Sequence, residues 1–197
     1  MKIYFSTCLL VAMALIAWEW DLRPLSAPSR VQAQEKASDE KDNDELLLIF
    51  AEDQADRTPK DGKEIDWKVV SPRDQKRQAR VRELYEKGEL RTGLDYFHAG
   101  LVFQHGSKPE DYLLGHELAV LAAVKGAKGG LSLAAATEDR FLMAINRPQR
   151  FGTQYKGMVG KSGVTLYEVG PGVTDKLRKE FHSRTLAEAK AREAEFN

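Results

Sequence analysis

Cysteine is almost missing from this chain: of 197 residues only Cys8 carries a thiol, and it lies in the N-terminal apolar run. A disulfide framework and a thiolate zinc site are therefore excluded from everything that follows it. An excess of basic charge is missing too, with 30 Lys plus Arg set against 30 Asp plus Glu. Neutralising phosphates needs such an excess, so nucleic acid is not an expected partner. The chain also lacks a nucleophile elbow, a P-loop, an HExxH helix and a dinucleotide fingerprint, and no motif indicates a cofactor. What remains is ample for a core. Hydrophobic residues make up 42% of the chain, and its length suits one domain with extensions.

The only long apolar run is residues 3–18, behind Lys2 and ahead of Glu19. A basic start and an apolar stretch have the form of a secretory signal, with Val31-Gln32-Ala33 as an exit site before Gln34. Residues 1–33 are therefore read as a signal peptide, with an uncleaved N-terminal anchor as the alternative. The run is shorter than the ~20 apolar residues of a spanning helix, but residues 3–18 could still tether the chain to a membrane. The expected location is exported, periplasmic or secreted. Residues 34–45 are polar and acidic and read as a disordered tether. Residues 46–197 form the expected single, mainly helical domain.

Leu46 to Phe50 open a first helix that should reach about Arg57. After a loop over residues 58–70, Ser71-Pro72-Arg73-Asp74 has the capping chemistry of a second helix, stopped at Gly88. Thr92 caps a third helix ended by Gly106, Pro109 starts a fourth ended by Gly126, and a fifth covers about residues 131–145. Short connections imply antiparallel neighbours. Residues 151–155 and 164–169 are β-rich with glycines between them, which predicts a small hairpin. A short helix beginning at Thr174-Asp175 and a charged one over residues 186–196 complete a compact bundle of about five helices.

Polar residues on the apolar helices stand out. On the third helix His98, Gln104 and His105 fall within the arc of Leu94, Phe97, Leu101 and Val102. His116 sits on a fourth helix with no real polar face, and Asp139 and Arg140 are embedded in the fifth. Groups so placed must pair, because an unpartnered buried charge costs several kcal/mol. A polar network inside the bundle is the expectation, with Gln149, Thr153 and Gln154 supplying amides and a hydroxyl. By contrast Asp53, Gln54, Asp56 and Arg57 read as solvent-facing, as do Arg73, Lys76, Arg77 and Arg80.

The order of motifs, Phe103-Gln-His105-Gly, then Tyr112-Leu-Leu-Gly-His116-Glu-Leu-Ala, Asp139-Arg140 and Arg147-Pro-Gln-Arg-Phe-Gly-Thr-Gln154, resembles a bacterial family. That family is known as a domain of unknown function (number 6624), marked by QH, DR and PQ-x-(Tyr/Phe)-GTQ segments. The likeness covers roughly residues 45–190, and the GTQ segment is its most specific part. It implies no particular activity. It singles out His105, Asp139, Arg140, Gln149 and Gln154, a polar signature rather than a packing one.

These residues support three expectations. The first is a binding or interaction module, since Asp95-Tyr96 and Asp111-Tyr112 each begin small-residue helices. The second is a hydrolase-like enzyme with His105 or His116 as general base, Asp139 orienting it, and Arg140 holding an oxyanion. Gln104, Gln149, Thr153 and Gln154 would then contact substrate. A metal version would use His105, His116 and Asp139. The third is a structural envelope protein. Convergence of these side chains on an open pocket separates the site readings from the structural one.

Overall fold

The computed structural model describes residues 40–58, 64–157 and 163–196. The expected signal or anchor and Cys8 lie outside the described residues, as does the tether as far as residue 39. Seven helices and one two-stranded sheet are described: α1 (Asp44–Arg57), α2 (Trp67–Glu86), α3 (Gly93–Gln104), α4 (Pro109–Val124) and α5 (Gly130–Ala144), then β1 (Tyr155–Lys156), β2 (Thr165–Leu166), α6 (Asp175–Glu180) and α7 (Leu186–Phe196). The chain is thus a mainly α bundle with a small antiparallel hairpin, as its sequence pattern predicts. No described helix is long and apolar enough to cross a membrane.

Caps set most boundaries. Thr92 and Asp95 form a reciprocal capping box on α3, Pro109 opens α4, and the Thr174 side chain accepts from the Leu177 amide to start α6. Two starts differ from expectation. The Asn43 side chain accepts from the Leu46 amide, so α1 begins inside the stretch read as a tether. Asp66 caps α2, so that helix begins at Trp67 rather than after Ser71, and Pro72 lies within it. Near a helix N-terminus proline removes a single backbone bond, which the rest of this long helix carries.

The hairpin is shorter than the β-rich pattern suggests: Tyr155 faces Leu166 and Lys156 faces Thr165, and the ladder stops there. Gln149 and Val169 add one isolated parallel bridge.

The middle of the bundle is α3, α4 and α5, packed through glycine. A Cβ on Gly100 would lie 3.1 Å from the Gly115 carbonyl oxygen, and one on Gly115 would lie 3.2 Å from that of Gly100. Bare backbones therefore touch where α3 crosses α4. Leu46, Val81, Leu84, Val102, Phe103 and Leu118 form the core beneath α1 and α2. Phe151, Val173 and Ala135 make a smaller core under the hairpin side, where Phe151 packs on Phe181 with ring centroids 4.9 Å apart. Not every expected core position is inside. Leu94 on α3 and Leu113, Val120, Leu121 and Val124 on α4 are exposed.

His98 is buried, with its ring stacked on Phe50 at a centroid distance of 4.1 Å. Burial pushes the imidazole below its ordinary value of 6.5, while Asp95 and Asp42 pull weakly the other way. The folded state therefore prefers neutral His98, and the unfolded chain takes the proton first as pH falls. This contribution to stability is present above pH 6.5 and is lost as pH drops through that value toward the folded pKa. A His98→Phe variant, which keeps the ring stack, is expected to lose less stability than the parent between pH 7.5 and 5. Urea midpoints at the two pH values measure this, and equal losses would refute it.

Candidate functional site

The stripes that bury α1 and α2 change character along their length. On α1 the positions Leu46, Phe50, Asp53 and Arg57 recur at helical spacing, and on α2 so do Val70, Asp74, Arg77, Val81 and Leu84. Apolar residues fill one part of each stripe and charges fill the rest. Because the helices run antiparallel, the charged parts meet: Arg57 pairs with Asp74, Arg77 and Arg73 pair with Asp56, and Glu45 pairs with Arg80 further along. Asp53, Asp74 and Arg77 are each less than a tenth exposed. The reading of Asp53 and Arg77 as solvent-facing is therefore corrected, and Asp74, expected as a cap, is buried with them. They sit where the apolar stripes require burial, and each charge is compensated.

The pairing is dense. One terminal nitrogen of Arg57 donates to Asp53 at 2.8 Å, and its guanidinium spans both oxygens of Asp74 at 3.2 and 2.7 Å. Arg77 donates to Asp74 at 3.0 Å and also to Asp56. The Asp56 carboxyl is held below its usual range, chiefly by the Arg77 hydrogen bond. Three carboxylates and three guanidiniums, those of Asp53, Asp56, Asp74, Arg57, Arg73 and Arg77, thus neutralise one another.

His105 joins this cluster from across the bundle. It is the C-cap of α3, and Gly106 follows in a turn with no space for a side chain: a Cβ there would lie 2.4 Å from that of Asp111. The Tyr112 hydroxyl donates to the Gly106 carbonyl at 2.7 Å and pins the turn. His105 Nδ1 lies 2.9 and 3.1 Å from the two Asp53 oxygens. An ionised carboxylate only accepts, so Nδ1 carries the proton and neutral His105 presents its lone pair at Nε2. The carboxylate that orients the imidazole is Asp53, not Asp139.

Arg140 completes the set. It lies on α5, its Nε is buried without a hydrogen-bond partner, and none of the ion pairs among the described residues includes it. Tyr112 supports the cation, but burial and the nearby Arg57 charge outweigh that and lower the guanidinium pKa from its ordinary value. Arg57, Asp74, His105 and Arg140 line one open cavity of about 460 Å³, walled by Trp67, Ser71, Gln75 and Gln78 of α2 and by Ser107 of the turn.

The other expected site residues are elsewhere. His116 turns Nδ1 to the Ala134 carbonyl at 2.9 Å, tying α4 to α5, and does not line this cavity. Asp139 is fully buried and accepts from the Arg150, Phe151 and Thr153 amides and the Thr153 hydroxyl at 2.6–3.0 Å. It is a loop anchor. Gln149, also fully buried, closes the same loop on itself through the Gln154 amide and carbonyl and the Tyr167 carbonyl. Gln154 donates to Thr153 Oγ1 at 2.9 Å. Gln104 is partly buried and does not line the cavity. His105, His116 and Asp139 do not meet, and no metal-ligating group of three or more His, Cys, Asp or Glu occurs among the described residues.

Of the five positions singled out by the family resemblance, two, His105 and Arg140, line the cavity, whereas Asp139, Gln149 and Gln154 hold the loop that follows α5. No protein-family model matches the chain, and no curated protein and no solved structure is significantly similar to it.

Proposed function

We propose that the chain is a binding module whose cavity between α1, α2 and the α3–α4 turn holds a small monoanion on Arg140. The observation that carries this reading is an imbalance. The other charges lining the cavity belong to a neutralised cluster, whereas Arg140 has no carboxylate partner and is partly desolvated. An unpaired cation in such surroundings costs stability unless a bound group compensates it. The volume falls within the ~300–1,000 Å³ common for small-molecule sites.

The proposal separates a binding arginine from a structural one. With no ligand present, Arg140→Gln is expected to leave the melting temperature unchanged or raise it, because it removes an uncompensated charge. Acetate is expected to stabilise the parent protein in a dose-dependent way relative to chloride at equal ionic strength, and the variant much less. Calorimetric melting measures both. A lower melting temperature for the ligand-free variant, or equal stabilisation of both proteins by acetate, would overturn the reading.

The Asp53–His105 hydrogen bond supports a second reading, a hydrolytic enzyme. His105 Nε2 would take a proton from water as its oxygen bonds to an ester or amide carbonyl carbon. Arg140 would carry the resulting oxyanion, and His105 would return the proton to the leaving group as the carbon–heteroatom bond breaks. Turnover that disappears in His105→Gln while ligand affinity persists would select this reading over pure binding.

We also propose that the chain is exported, on the strength of Lys2 and the apolar run of residues 3–18. N-terminal sequencing of the mature protein is expected to begin at Gln34. A mature chain retaining residues 1–33 would support the anchor instead.

A further inference from the structure

The cavity does not end at its walls. A second depression of about 400 Å³ shares Gln75, Gln78 and Ser107 with it and continues along α2 toward Arg82 and Asp111. The two form one groove with a chemical gradient. At one end lie Arg140 and Trp67, whose indole is 54% exposed where a core tryptophan would be covered. Along the middle the side chains are amides and hydroxyls, groups that both donate and accept hydrogen bonds. At the far end Arg82 is satisfied by Asp111 at 3.2 Å and by the Phe103 ring beneath it, and the exposed Lys108 stands at the rim.

We propose that this groove takes a carboxylated saccharide of about two rings, with its carboxylate on Arg140 and one ring face on Trp67. The proposal rests on the monoanion reading and adds the class of ligand. At the Trp67 end one surplus guanidinium matches one negative charge, and because Asp53 and Asp74 are already neutralised by Arg57 and Arg77, no second cation is left there for a dianion such as a phosphate monoester. Sugar hydroxyls both donate and accept, as do Ser71, Gln75, Gln78 and Ser107, so the same ligand group can satisfy either end of an amide. The C–H face of a pyranose ring is apolar and covers an exposed indole. A peptide carrying a terminal carboxylate fits less well. It would ask for a strand edge to pair with its backbone or apolar pockets for its side chains, and the groove lining includes no strand.

The test uses the purified protein, titrated calorimetrically with cellobiouronic acid, neutral cellobiose, diglycine and inorganic phosphate. A uronic-acid disaccharide is expected to bind at least about tenfold more tightly than cellobiose, diglycine or phosphate. Trp67→Ala is expected to weaken that binding about tenfold, and Arg140→Gln to erase the preference for the acid over cellobiose. Trp67 is exposed at the start of α2, so its replacement leaves the core intact, and an unchanged melting temperature verifies this. Phosphate or diglycine binding as tightly as cellobiouronic acid in an Arg140-dependent way would sink the saccharide while leaving the monoanion reading in place. Failure of every anion to bind would sink both. Acidic-disaccharide binding that ignores Trp67→Ala would overturn the proposed seating.

Discussion

Asp139→Ala is expected to lower the stability of the domain by about 3–5 kcal/mol, enough to shift its urea midpoint severely. The residue lies near the end of α5, where the chain must leave the helix past Pro148 and turn back toward the bundle. Its two carboxylate oxygens accept three backbone amides and the Thr153 hydroxyl, and no solvent reaches it. Truncation would leave four donors without an acceptor at a fully buried position. Asn at the same position is expected to be nearly as damaging, because its amide nitrogen would bring a donor to meet other donors. Gln149→Ala should be milder than Asp139→Ala, since it removes a neutral side chain and Gln154 keeps other bonds. Melting and urea curves for the three variants check the order. If Asp139→Ala cost less than Gln149→Ala, the anchoring role would be wrong.

The same residue shows where sequence reasoning reached its limit. Asp139 was recognisable as a polar group on an apolar helix and therefore as buried. What it bonds to was not legible, because backbone amides look alike in every sequence. An anchor for the loop at residues 150–153 and an orienter for a histidine carry the same one-dimensional signature. His105 and Arg140 were legible for the same reason as Asp139, and they do reach a cavity. Asp53 and Arg77 read as solvent-facing by type alone, although their spacing continues the apolar stripes of α1 and α2. Position along the stripe, with an oppositely charged stripe on the neighbouring helix, was the signal available. The start of α2 was misplaced because Ser71-Pro72 and Asp66 both have capping chemistry, and only packing chooses between them. Local chemistry alone placed the starts of α3, α4 and α6, where no rival cap lies nearby.

Asp53→Ala carries the second large expected effect, a loss of about 3–5 kcal/mol, because it breaks a buried charge cluster from one side only. Arg57 would keep Asp74, but Gln54 and His105 would lose the acceptor they share. Three guanidiniums would then face two carboxylates, and Arg140 would lie beside a second uncompensated cation. Two consequences distinguish this account from simple cavity formation. The combination Asp53→Ala with Arg57→Ala should be less destabilised than the sum of the single changes, by an amount that a double-mutant cycle reads directly. The charge surplus at the cavity would also rise from one to two, so the variant should shift its anion preference from acetate toward phosphate. Titrating both anions against Asp53→Ala and the parent at equal ionic strength measures that shift. An unchanged preference, with strictly additive stabilities, would show that the charges of α1 and α2 neither balance one another nor set what the cavity accepts.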